Sequence, residues 1–224
     1  MRPSHLKSPF RWHERRVTIE DRVWYVPKRC ENDSFTFPGW VHDQTFALDQ
    51  PVNVEFCSGN GDWIAAKALK NPRQNWVAVE KKFPRVQKIW SKLKNHRIPN
   101  LLIICGEGYD VIQQYFCSNS VNAVYVNFPD PWPKNSHAKN RLIQPNFILE
   151  MTQILKPEGT FTLATDDELY SDRVIKDVHQ TGGFSSQLPE PFYCDELHDY
   201  GISYFEDLWR KQGKKIRYHI FKKN

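Results

Sequence analysis

The sequence is short of the features that would put it in a membrane, around a metal or in an oxidising compartment. No stretch of its 224 residues is long and apolar enough to cross a bilayer. The basic N-terminus lacks the apolar centre of a signal peptide, and Glu14, Glu20 and Asp21 with sparse serine speak against a transit peptide. The five cysteines (Cys30, Cys57, Cys105, Cys117, Cys194) are odd in number, widely spaced and include no Cys-x-x-Cys pair. That spacing opposes zinc or any other metal centre. Several of them lie in apolar runs, so reduced, buried thiols in a cytoplasmic protein are expected. Internal repeats and low-complexity tracts are absent, and no Ser-His-Asp or Cys-His set stands out.

What remains is ordinary for a soluble globular chain, 40% hydrophobic and 25% charged. Its length suits one domain, or one domain with a short arm. The net charge of +5 is unevenly spread. Residues 1–30 hold eight Lys or Arg against three acids, residues 81–106 hold seven and no acid, and residues 210–224 hold seven and no acid. One such block reads as a solvated face; three together point to a polyanion, nucleic acid above all.

Residues 1–46 show no sustained period and read as a basic arm packing partly on a domain over 47–224, its first dozen residues mobile. From Pro51 the pattern alternates. Strands are predicted at Val52–Phe56, Asn75–Glu80, Leu101–Cys105, Val121–Phe128 and Thr160–Thr165. Helices are predicted near 62–70, 82–95, 109–117, 143–154 and 169–180. Lys156–Gly159 reads as a turn, Gly182-Gly183 as a helix stop, and Lys215–Phe221 as an edge strand. Strands separated by helices mean crossovers and a parallel sheet.

Two turns carry the chemistry. Asn127-Phe-Pro-Asp-Pro-Trp-Pro-Lys134 follows the fourth of these strands, and its prolines forbid helix or ladder pairing. A stiff loop at a parallel strand's carboxyl end is where open α/β sheets place ligands, here beside Asp130, Trp132 and Lys134. The other turn, Glu55-Phe-Cys-Ser-Gly59-Asn-Gly61, has the close-approach glycines of a nucleotide site. A dinucleotide fingerprint would need a third glycine where Ile64 stands, and Asp62 opens the helix where a pyrophosphate would bind. Glu55, Glu80, Glu107 and Asp130 each end a successive strand of the expected sheet. Singly each reads as a solvated strand end; in series they suit a cationic, phosphate-free nucleoside, with Glu80 on the ribose hydroxyls and Glu107 on an adenine amine. S-adenosylmethionine is such a ligand.

The chain resembles the class I methyltransferases, and more narrowly the tRNA (guanine-N7)-methyltransferase family of the bacterial single-chain type, over about residues 50–222. The motifs are Phe128-Pro-Asp-Pro-Trp-Pro-Lys134 with His137, Lys139 and Arg141, then Ala164-Thr-Asp166, then Phe205-Glu206. The resemblance implies a Rossmann-like, doubly wound α/β fold, its mostly parallel sheet carrying an antiparallel C-terminal strand. It implies methyl transfer from S-adenosyl-L-methionine to N7 of a guanine in the variable loop of tRNA, by a monomer or homodimer. Cofactor contacts would be Glu55, Gly59, Gly61, Glu80, Glu107 and Asp130, with Asp130 also catalytic. Substrate contacts would be Lys134, Asp166, Ser203, Tyr204, Phe205 and Glu206, with His137, Lys139 and Arg141 as weaker RNA contacts. The chain departs from the family pattern at Cys57 (for Gly), Glu107 (more often Asp) and Ser203 (for Thr), and its basic run after Lys134 is thin.

Guanine N7 has a lone pair and no proton to lose, so the missing base-and-nucleophile set is expected for this reaction. Asp166 can accept from guanine N1–H and the 2-amino group, leaving N7 open, where an Arg fork on O6 and N7 would cover it. It equally suits the N-cap of the helix from Leu169. Trp132 suits stacking on a base or a plain corner. Three other readings stay open: a protein or exocyclic-amine methyltransferase, opposed by the order Pro-Asp-Pro-Trp; a nicotinamide oxidoreductase, opposed by Asp62; and a non-catalytic RNA-binding protein.

Overall fold

The structure, a computed structural model, describes all residues except 12–13 and 29–34, together with the side chain of Asn135, so the expectation for Cys30 lies outside the described residues. The chain divides into two compact units, Met1–Phe116 and Cys117–Asn224.

In the first unit, β1 (Thr18–Glu20) and β2 (Val23–Tyr25) form an antiparallel pair. Strand β3 is Val52–Phe56, β4 Asn75–Glu80 and β5 Leu101–Cys105. Their order is β1-β2-β5-β4-β3, with β2, β5, β4 and β3 mutually parallel where they pair. Every residue of β3 and β4 is buried, as expected of parallel strands covered on both faces. Helix α1 (Asp62–Lys70) buries Trp63, Ile64, Ala65 and Ala68, and α2 (Phe83–His96) buries Val86, Ile89, Trp90 and Leu93. Helix α3 is Gly108–Tyr115.

The expected arm is more ordered than its aperiodic sequence suggested. It supplies β1 and β2, and residues 1–6 lie on α2 instead of running free. Leu6 is buried there, Gln87 Nε2 donates to its carbonyl at 2.8 Å, and Ser91 Oγ donates to that of Met1 at 2.6 Å.

In the second unit, β6 (Val121–Asn127) pairs parallel with β7 (Leu155–Thr165). Strand β9 (Arg217–Lys223) runs antiparallel to both β7 and β8 (Phe184–Ser186), giving the order β6-β7-β9-β8. The C-terminal strand is antiparallel as expected, but the three-residue β8 takes the edge beside it. Lys156–Gly159 is part of β7 and not a free turn: the register with β6 shifts there, and Glu158 takes φ +66°. Between the pairs Val121–Leu155 and Ala123–Thr160, β7 carries three more residues than β6, an enlarged bulge that bends the ladder without ending it. Helices α4 (Pro145–Ile154), α5 (Glu168–Thr181) and α6 (Tyr204–Lys211) complete the unit. Gly182, left-handed at φ +70°, ends α5 as expected.

Candidate functional site

In the first unit the carboxyl ends of β3, β4 and β5 place three acids in a row. Glu55 is the buried penultimate residue of β3, Glu80 ends β4 and Glu107 follows β5. The turn after β3 is left-handed at Cys57 (φ +63°), Gly59 (+55°) and Gly61 (+76°). A Cβ at Gly61 would lie 2.7 Å from Ile89 Cγ1, so α2 packs against a turn that only glycine allows. Glu80 holds this turn: its Oε2 accepts from Gly59 N–H at 3.0 Å and its Oε1 from Lys82 N–H at 2.8 Å. Each carboxylate oxygen keeps a second lone pair, so Glu80 can still accept from two hydroxyls. Arg85 Nη1 is 3.7 Å from its Oε2, and Lys81 Nζ is 3.6 Å from Glu107 Oε2. Cys105, the register partner of Glu80, has its thiol pushed up to about 12, by burial first and then by the charge of Glu80. At the start of α1, Asp62 pairs with Lys92 at 3.1 Å, and Lys92 also donates to the Asn60 carbonyl.

In the second unit the loop after β6 leaves Asp130 and Lys134 exposed and Trp132 half-buried. Phe128 N–H donates to the Ala164 carbonyl at 2.9 Å, tying the loop's first residue to β7. The edge of His137 meets Trp132, with ring centres 5.6 Å apart at 86°, in the short 3-10 helix Asn135–Asn140. Lys139 is exposed. Arg141 differs from expectation: it is 8% exposed, and its guanidinium donates to the carbonyls of Pro131 and Trp132. It braces the loop from within through Nε and Nη2, which are held by two inward carbonyls, while Nη1 is buried without a hydrogen-bond partner.

Asp166 follows β7, and the N-cap role open to it in the sequence belongs to its neighbour. Asp167 Oδ1 accepts from Tyr170 N–H at 2.8 Å and caps α5. Asp166 instead pairs with Lys214, whose Nζ lies 3.9 Å from the centre of the Trp209 ring. In the tail, Ser203 Oγ accepts from Glu206 N–H at 3.1 Å, capping α6. Glu206 is buried, and its Oε1 accepts from Tyr218 OH at 2.6 Å and Arg210 Nε at 3.0 Å. Burial first, and then that bond to Glu206, raises the Tyr218 phenol above its ordinary range. Of the four tail residues expected on substrate, Ser203 and Glu206 make hydrogen bonds within the tail, Tyr204 is exposed and Phe205 half-buried.

The family described as "Putative methyltransferase" matches residues 49–218. The chain is similar to the tRNA (guanine-N(7)-)-methyltransferase of Chlamydia abortus, 44% identical over all of this chain and 98% of that protein. The protein of the same name from Nitrosomonas europaea is 33% identical over 80% of this chain and 79% of its own length. The chain belongs to the tRNA (guanine-N(7)-)-methyltransferase family. Among solved structures it is similar to a SAM-dependent methyltransferase from Aquifex aeolicus (TM-score 0.54, 12% identity, 79% of this chain and 84% of that one). It is likewise similar to the aminoglycoside resistance methyltransferase NpmB1 (TM-score 0.53, 13% identity, 78% and 87%). These likenesses establish the class I methyltransferase fold.

The cradle of this methyltransferase fits the family's donor, S-adenosyl-L-methionine. Acceptors, not donors, end β3, β4 and β5, matching hydroxyls, an amine and a sulfonium. An acid occupies the helix start that a dinucleotide's pyrophosphate would need. Among the described residues no group of three or more His, Cys, Asp or Glu could hold a metal, and no helix is long and apolar enough to cross a membrane. Sequence reasoning missed Tyr218, Arg210 and Lys214 as partners of the motif acids. It also missed Tyr200, whose hydroxyl donates to Asn127 Oδ1 at 2.6 Å, just ahead of the proline loop. The Ser203-x-x-Glu206 spacing was the available signal for α6, since it is the start of a capped helix.

Proposed function

We propose that the protein transfers a methyl group from S-adenosyl-L-methionine to N7 of a guanine in tRNA, the variable loop being the target by family resemblance. The observation that carries this is the full-length similarity to the Chlamydia abortus enzyme of that name. When bound, the donor supplies an electrophilic methyl on a sulfonium. Because N7 presents a lone pair and no proton, the chain needs no general base. Its contribution is alignment, which in well-oriented reactions gains on the order of 7–11 kcal/mol. We assign Glu80 to the ribose hydroxyls, Glu107 to the adenine amine, Glu55 to the amino-acid end, and Gly59 and Gly61 to close backbone approach. Asp130 is assigned to the donor's reacting end and is the catalytic candidate.

Asp166 is assigned to the Watson–Crick edge of guanine, where it accepts from N1–H and the 2-amino group and refuses adenine. Its release from the capping role, which Asp167 fills, supports that reading. Lys134, His137 and Lys139 are assigned to phosphates, and Tyr204 and Phe205 to the substrate's flank. The basic segment 1–46 is read as an arm serving the domain over 47–224. The working state is a monomer or homodimer in the cytoplasm, consistent with the free thiols at Cys57, Cys105, Cys117 and Cys194. Transfer of labelled methyl from the donor to bulk tRNA, followed by mapping of the modified base, tests the reaction. Label at guanine N7 is expected; label on protein, on an exocyclic amine or nowhere rejects it. Within that assay Asp166→Ala should lose turnover while donor affinity stays near wild type.

A further inference from the structure

Two bulky residues of the 128–134 loop sit where side chains rarely settle, Phe128 at φ +49° and Trp132 at φ +44°. Left-handed backbone at such residues persists only where surrounding contacts fix it. The loop's prolines at 129, 131 and 133 lack N–H donors, so it cannot brace itself by backbone pairing. Arg141 supplies the brace. Its Nε donates to the Pro131 carbonyl at 2.9 Å and to that of Trp132 at 3.2 Å, and its Nη2 donates to the Trp132 carbonyl at 2.8 Å. Arg141 is itself anchored: its N–H donates to the Ala138 carbonyl at 3.1 Å, and Gln144 Nε2 donates to the Arg141 carbonyl at 2.6 Å. A planar guanidinium with fixed donors can span two adjacent carbonyls, whereas an ammonium is a point charge.

We propose that Arg141 is the positioning residue of this loop, fixing the backbone from which Asp130 and Trp132 project. The proposal rests on the assignment of Asp130 to the transfer reaction. It replaces the phosphate-contact role the motif suggested for Arg141, because the residue is 8% exposed and its Nη1 is buried rather than presented to solvent. A phosphate that drew Nε and Nη2 away from the two carbonyls would release the loop they hold.

The test compares Arg141→Met and Arg141→Lys with Lys134→Ala as a phosphate-contact control. Arg141→Met should lower kcat by on the order of 10- to 100-fold, the scale of a small misplacement at a reacting centre. Its KM for tRNA and the slope of log K against log salt should stay at wild-type values. Amide hydrogen exchange should speed up in residues 128–141 and nowhere else. Methylguanidinium in the buffer should restore part of the lost kcat in Arg141→Met. If the Met variant does not fold, Arg141→Lys carries the same expectation of local exchange and lowered kcat. Unchanged loop exchange overturns the proposal. So does a salt slope shallower by about 0.7 with kcat unchanged, the mark of one lost single-strand phosphate contact. Loop exchange is read without substrate, so its failure is distinct from a failure of wild-type enzyme to methylate tRNA.

Discussion

Glu80 accepts N–H groups with both carboxylate oxygens, so an amide in its place presents a donor to one of them. Glu80→Gln should therefore cost about 1–3 kcal/mol of stability for the unsatisfied pair. It should also weaken the donor by about tenfold or more, both readable by calorimetry and urea unfolding. Glu80→Ala without any loss of affinity would remove this residue from the site. His219, fully buried in β9, makes a pH prediction. Its Nδ1 meets the Phe192 carbonyl and its Nε2 meets Ser171 Oγ, each at 3.0 Å. Burial chiefly lowers its pKa from 6.5 to about 4. Below pH 6.5 the unfolded chain takes up a proton that the folded chain refuses. Stability present above that pH is then lost as pH falls towards 4, by about 2 kcal/mol at pH 5. Urea midpoints at pH 7 and pH 5 check the loss, which should largely vanish in a folded His219→Gln variant.

Strands β3, β4 and β5 were readable to the residue because buried parallel strands are unbroken apolar runs bounded by turn residues. Strands β1, β2 and β8, three residues each, are too short for any period to emerge. The carboxylates ending β3, β4 and β5 were legible by spacing; the use of Glu80 to hold the glycine turn was not, because both hydrogen bonds depend on how that turn folds. Likewise Arg141 looked like surface charge because nothing in a sequence marks which bases point inward. Helix α6 could have been found from Ser203 and Glu206. Ser203→Ala should remove the N-cap and destabilise by about 1 kcal/mol, with Tyr218 losing part of its support. In α1 and its turn, Gly61→Ala combines a left-handed φ with a clash on Ile89. A cost of about 1–3 kcal/mol is expected for backbone held in that region, measured by thermal unfolding.

Over the whole molecule, two of the basic blocks that suggest a polyanion-binding stripe, residues 81–106 and 210–224, prove to be partly offset by acids. Lys81, Arg85, Lys92 and Lys94 pair with Glu107, Glu80, Asp62 and Asp21. Arg210, Lys211, Lys214, Arg217 and Lys222 likewise have acidic partners. Lys134 and Lys139 carry no ion pair among the described residues and are exposed. Counterion release on tRNA should therefore come more from them than from the tail: Lys134→Ala should reduce the salt slope by about 0.7 and Lys211→Ala should leave it. An equal loss in both would show that the paired bases serve RNA as well.

On the proposed assignment, strand-end acids recognise a phosphate-free donor, which would set this protein apart from the dinucleotide enzymes. The most direct test is a pair of calorimetric titrations, S-adenosylmethionine and NADH, on wild-type protein and Glu80→Ala. Saturable binding of S-adenosylmethionine alone, weakened in the variant, is predicted. Uptake of NADH with none of S-adenosylmethionine would contradict it.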